Sequence, residues 1–277
     1  MGLDKLNLTV FEPPDSSLLD EIGIVREDPS RRNLYKYFVD LGHCQIMWHP
    51  HKFGPKINER IGYTKLDFSP KHFPSFSDLE NSLRQYFYSG NGLPLSRFEV
   101  SRIDIKADIE NLPIPLVLGR MFRKGLRDTS FNYFKGTIYM GYNPRTRIYD
   151  KTSEIKARQA KGRELLALEK EILESEKKLT RFEVMIKRPQ FTLDRLAQEE
   201  STLIEYFDRI DFYDFEDALE ITEGGGLQML LKNARREFRK NLEEFKSEEI
   251  SQRIKSDFLA GFREWMRPKA GINDIPF

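Results

Sequence analysis

The sequence predicts an α+β fold: an antiparallel or mixed β-sheet carrying the active site, helices packed on one face, and a helical C-terminal region. Three observations lead there. Short segments alternate apolar and charged residues, as a strand with one buried face requires. Gly- and Pro-centred turns join several of them at hairpin spacing. Between and after them run Glu-, Lys- and Leu-rich stretches with apolar residues near helical spacing.

Residues 3–11 alternate as a first strand. Leu34–Leu41 and Cys44–His49 read as a hairpin turning at Gly42-His43. Gly62–Phe68 is a further strand, stopped by Ser69-Pro70. Ser77, with Glu80 three residues on, resembles a helix start for a helix running to about Tyr88. The Gly90–Pro94 turn leads into a strand around Asp104, and a second helix is expected from Pro115 to Gly125. Phe131–Gly141 and the strand ending at Lys151 form a hairpin around Tyr142-Asn143-Pro144-Arg145. Ser153 to Lys178 reads as one long, partly exposed helix. A strand at 180–187 ends at Pro189, and everything beyond Leu193 reads as helix, divided at Gly224–Gly226. The expected division is a domain over 1–191 that carries the chemistry-bearing strands and a helical region over 192–277 for binding or oligomerisation, a homodimer included.

With 277 residues, 39% of them hydrophobic and 32% charged, the chain is long and apolar enough to bury a core. No apolar run approaches the roughly 20 residues of a membrane helix. The first residues show no signal-peptide pattern, and Leu6 argues against myristoylation, so a cytoplasmic setting without a membrane partner is expected. The single cysteine, Cys44, leaves no internal disulfide and no Cys-based zinc site. A net charge of +1 argues against a polyanion partner, but its distribution does not. Between 118 and 151 lie Arg120, Arg123, Lys124, Arg127, Lys135, Arg145, Arg147 and Lys151, against only Asp128 and Asp150. Residues 199–223 are acidic, and Arg235, Arg236 and Arg239 make the following stretch basic again. Local field steers a phosphate backbone more than total charge does.

Three strands concentrate the chemistry. In Ser101–Asp108, Ile103, Ile105 and Ala107 oppose Arg102, Asp104, Lys106 and Asp108. In Thr146–Lys151, Arg147, Tyr149 and Lys151 share a face with Arg145. In Thr180–Lys187, Phe182, Val184 and Ile186 oppose Arg181, Glu183 and Lys187. Cations beside a phenol favour its ionised form and also pair with phosphate oxygens. A tyrosine nucleophile conserves the energy of a cut strand in a phosphotyrosine bond. Asp104 and Glu183 are oxygen ligands of the type Mg²⁺ or Mn²⁺ takes, with Glu154 and Asp108 as further candidates. Salt bridges from Asp104 and Glu183 to Arg102 and Arg181 are the competing reading. His49-Pro50-His51 has metal-ligand spacing, but Pro50 suits a strand end. Gly224–Gly226 lacks a following Lys-Ser/Thr and reads as a hinge or cap.

The ordered set SRID (101–104), RIYDKTSE (147–154), a charged helix, then RFEV (181–184) resembles rolling-circle replication initiators. These include the filamentous-phage gene II type and the plasmid replication initiation factors that embrace conjugative relaxases. The resemblance is strongest over 96–191. It implies Tyr149 as the nicking nucleophile, with Lys151 and Glu154 as its partners in a Tyr-x-Lys-x-x-Glu motif. It implies Asp104 and Glu183 as metal-binding acids and Arg181 as the arginine beside the latter. Asn143–Thr146 departs from the plasmid pattern of further Tyr or Ser residues there, which keeps Tyr142 and Tyr139 as rival nucleophiles. The implied activity is origin-specific DNA nicking and strand transfer that initiates rolling-circle replication of a phage or plasmid. It would act on single-stranded or hairpin DNA, with Mg²⁺ or Mn²⁺, a host helicase and a DNA polymerase. A conjugative relaxase of the same chemistry, or a non-catalytic DNA-binding protein, is the alternative.

Overall fold

In a computed structural model of the protein, residues 2–27, 34–50, 63–87, 93–126, 130–175, 177–215, 226–233 and 242–267 are described. The fold is α+β, with a large antiparallel sheet and eight α-helices among the described residues, one of them long and near the C-terminus. No described helix is long and apolar enough to cross a membrane. The chain divides into two compact units. One comprises Met1–Asp104, Ile186–Glu200 and Gly261–Phe277; the other comprises Ile105–Met185 and Ser201–Ala260.

The first unit holds β1 (Leu3–Val10), α1 (Ser16–Ile22), β2 (Arg26–Glu27), β3 (Tyr35–Asp40), β4 (Cys44–Pro50), β5 (Thr64–Phe68), α2 (Phe76–Tyr86) and the first half of β6 (Glu99–Glu110). Its strands lie in the order β2-β3-β4-β5-β1, each pair antiparallel. The predicted hairpin is present: Gly42 adopts φ 79°, a conformation open to glycine at little cost, between β3 and β4. Leu6, Leu8, Ile46, Leu66 and Phe68 are fully buried. The start of α2 falls two residues earlier than expected. Ser75 caps it, accepting from the Asp78 backbone N–H at 3.3 Å and donating to the Asp78 carboxylate at 2.8 Å.

The second unit takes the rest of β6, then α3 (Ile114–Arg120), β7 (Met121–Arg123), β8 (Phe131–Phe134), β9 (Thr137–Met140), β10 (Arg145–Asp150), α4 (Lys151–Ala160), α5 (Ala167–Glu174) and most of β11 (Leu179–Lys187). It continues through α6 (Glu200–Ile204), β12 (Ile210–Tyr213), α7 (Leu227–Asn233), β13 (Lys246–Ser247) and most of α8 (Glu249–Met266). Strands β11-β10-β9-β8 are consecutive and antiparallel, and β13-β12-β7 form a separate three-stranded sheet. The element order of the first unit, β1-α1-β2-β3-β4-β5-α2, recurs here as β6-α3-β7-β8-β9-β10-α4.

Three expectations are corrected in this unit. The helix predicted from Pro115 to Gly125 ends at Arg120, because Met121–Arg123 pair with the distant Ile210–Phe212 as β7 and β12. The single helix over 153–178 is two, α4 and α5, parted where Gly162 takes φ 69°. The region beyond Leu193 contains strands as well as helices, and all four residues of β12 are buried. His51, Gly224 and Arg235, Arg236 and Arg239 lie outside the described residues.

Candidate active site

The candidate site belongs to the second unit and is built on the β10–β11 pair. Their register sets Arg147 opposite Glu183 and Tyr149 opposite Arg181, so these four side chains share one face. The opposite face carries Ile148 and Phe182, both fully buried, with the Phe182 ring 6.1 Å from that of Phe212. Burial on one face leaves the other free to present charge.

Glu183 is only 1% exposed, which a carboxylate tolerates only when paired and hydrogen-bonded. Arg147 supplies the pair, donating to Oε1 from Nε at 3.1 Å and from Nη2. The Tyr149 hydroxyl lies 3.4 Å from Glu183 Oε2, placed to donate to it. The Arg147 guanidinium also lies 5.7 Å from the centre of the Tyr149 ring, so one arginine braces both the phenol and its acceptor. Arg181, 5% exposed, turns to β6 instead and forms a two-pronged ion pair with Asp108, Nε and Nη2 each at 2.7 Å. Burial pushes the Asp108 carboxyl up, but Arg181's bonds and charge, with Lys106 and Lys151, outweigh it and hold the group well below the usual carboxylate range.

Tyr149 sits two residues before the start of α4. Asp150 caps that helix, accepting from the Ser153 backbone N–H at 2.8 Å and its hydroxyl at 2.7 Å. Lys151 is therefore the first helical residue rather than a strand residue. It is 7% exposed and donates to Glu154 Oε2 at 2.6 Å; Glu154 also holds Arg158, at 2.6 Å. Burial, then the neighbouring Arg181 charge, draws Lys151 below the usual lysine value against the pull of Glu154. Asp104, in the first unit, is 1% exposed and gripped by both prongs of Arg102.

Tyr149 lines a cleft of about 920 Å³, together with Asp150, Glu154, Lys135, Lys156 and Lys178. Tyr139 is half-buried on β9 opposite Arg147, under the Arg145 guanidinium at 5.0 Å. Tyr142 is 74% exposed in the β9–β10 turn. Among the described residues Tyr149 is the tyrosine that lines this cleft.

The three expected metal ligands form ion pairs: Asp104 with Arg102, Glu183 with Arg147, Glu154 with Lys151 and Arg158. Among the described residues no three His, Cys, Asp or Glu side chains group as a ligand set.

Arg123 and Lys135 stand in the basic run of the sequence, but their positions could not be read there. Lys135 in the β8–β9 turn, Lys156 on α4 and Lys178 just ahead of β11 meet at the cleft, which no local pattern reports. Arg123, 4% exposed, donates to the Met140 and Pro144 carbonyls at 2.8 and 3.1 Å and so fixes the β9–β10 turn. Its guanidinium lies 2.8 Å from where a Cβ on Gly141 would stand, which, with φ 71°, makes glycine necessary there. The basic run over 118–151 was its only sequence signal.

No protein-family model matches the chain, and no curated protein matches its sequence.

Proposed function

We propose that the protein is a DNA-nicking and strand-transfer enzyme that uses Tyr149 as nucleophile and initiates rolling-circle replication of a phage or plasmid. The observation that carries this reading is the Tyr149 hydroxyl, 3.4 Å from a buried carboxylate, on the wall of a lysine-rimmed cleft. In the proposed reaction the phenol oxygen bonds to phosphorus and its proton passes to Glu183. The bond from phosphorus to the 3′ oxygen breaks, and that oxygen takes a proton from solvent. The products are a 5′-phosphotyrosyl strand and a free 3′-hydroxyl, the primer for a host polymerase behind a host helicase. Resealing runs the same path backwards, a 3′-hydroxyl displacing Tyr149 as Glu183 returns the proton. Arg147 and the cleft lysines offset charge on the phosphate oxygens. General-base help of this kind contributes about 10²–10⁴-fold.

The test is incubation with supercoiled DNA carrying the cognate origin, with Mg²⁺, with Mn²⁺ and with chelator. Nicked circles and a denaturation-resistant protein–DNA adduct are expected, both lost in Tyr149→Phe. An adduct that persists in that variant and maps to Tyr139 or Tyr142 would move the nucleophile. Retention of DNA without nicking in every arm would instead favour the non-catalytic DNA-binding protein. The same chemistry serves a conjugative relaxase, which a transfer-origin substrate distinguishes.

A further inference from the structure

The first unit holds a cavity of its own, of about 550 Å³, within the roughly 300–1,000 Å³ of small-ligand sites. One wall is aromatic. The Phe11 ring, 52% exposed, meets the Tyr63 ring edge to face at 5.6 Å, and Tyr63 in turn stacks on Tyr35 at 6.4 Å. The other wall is the segment after β11, with Arg188, Gln190 and Thr192, and with Arg195 beyond it. Thr9, Ser101 and Glu99 complete the lining.

That second wall is held in a costly conformation. Arg188 and Gln190, either side of Pro189, have φ of 51° and 66°. Left-handed backbone disfavours residues with a Cβ, and such conformations persist only where surroundings over-determine them. Here they do. The Arg188 N–H donates to the Ser101 carbonyl at 2.9 Å, the Val100 N–H to Phe191 at 3.0 Å and the Leu193 N–H to Phe98 at 2.9 Å. The β6 backbone therefore pins a segment whose arginine and glutamine side chains line the cavity.

We propose that this cavity binds a nucleoside monophosphate unit, free or within a single strand. The base would lie against Phe11 and Tyr63, whose faces accept any base by stacking. The phosphate would pair with Arg188 and Arg195, since guanidinium groups match phosphate geometry. Gln190, Thr192 and Ser101 supply hydrogen bonds to the base edge or sugar. Arg195 already holds Glu199 at 3.1 Å, so Arg188 is the principal phosphate partner. None of these residues belongs to the Tyr149 cleft, and the site does not depend on the nicking reaction.

The test is titration of the full chain with a fluorescein-labelled deoxythymidine hexamer and, separately, with adenosine monophosphate, at low and at physiological salt. Wild type is expected to bind at least one of them saturably. Phe11→Ala weakens that binding by about tenfold, the order of magnitude of one base–aromatic stack. Arg188→Ala weakens it and lowers its salt dependence by about one charge. Binding of the hexamer alone assigns a strand, and binding of the monophosphate assigns a free nucleotide. Phe11 and Arg188 are both exposed, so the variants fold, as unchanged thermal melts verify. Lys170→Ala, exposed on α5 and outside both hollows, serves as the control that retains binding. Absence of binding to both probes, or affinity unaffected by both substitutions, would overturn the proposal.

Discussion

Two buried charges at the candidate site are partnered differently, and their variants should behave differently. Arg147 is 40% exposed, so losing Glu183 returns it to water at modest cost. Glu183→Gln is therefore expected to fold while losing about 10²–10⁴-fold in nicking rate, measured in single-turnover cleavage. Arg181 is nearly sealed, and Asp108→Ala would remove its two-pronged carboxylate partner, a loss of about 3–5 kcal/mol in urea denaturation. The same pair sets an acid limit. Because the folded pKa of Asp108 is depressed, its stabilisation is complete above the unfolded value of about 3.9 and is lost as pH falls through the folded value. Melting temperature should drop between pH 5 and pH 2 in wild type and drop less steeply in Asp108→Asn. That Arg147 shares a face with Tyr149, and Arg181 with Glu183, was legible from alternation, but the β10–β11 register that joins the two pairs was not. Which anion each cation meets was not, because Asp108 reaches Arg181 only through the neighbouring strand.

At the scale of elements, β10 and α4 act as one device. The strand aims Tyr149, and the Asp150 cap starts a helix at once, so the phenol sits at a rigid junction rather than on a loop. Asp150→Ala is expected to cost about 1 kcal/mol of stability by urea denaturation. The strand–turn–strand segments were readable because their pairing is local: Gly42 and the Tyr142–Arg145 turn announce hairpins. β7, β12 and β13 were not, since residues 121–123 find their partner near 210 and no local propensity encodes that. The break between α4 and α5 hung on Gly162, one residue inside an otherwise helical composition.

Across the whole molecule, the β-α-β-β-β-β-α order of elements occurs twice, but the likeness stops short of strand position: β5 lies between β4 and β1, whereas β10 lies between β9 and β11. On β5, Asp67 pairs with Lys5 of β1 at 3.0 Å, whereas on β10 Arg147 pairs with Glu183 of β11. No period in the sequence reveals the repeat, because the likeness lies in element order and not in residue identity.

Non-glycine residues with left-handed backbone are sparse here, and their placement is uneven. Asn111 and Lys135 line the Tyr149 cleft, Arg188 and Gln190 line the other, and among the described residues His49 alone lies apart. At Lys135-Gly136 the turn between β8 and β9 wants Asn-Gly, so Lys135→Asn should raise stability by on the order of 0.5 kcal/mol while weakening DNA retention in salt-dependent binding. Selection of variants for heat tolerance would thus drift toward Asn and Gly at Lys135, Arg188 and Gln190, as Asn111 already has it. A hardier protein obtained that way would have smoothed away the side chains that its two hollows present.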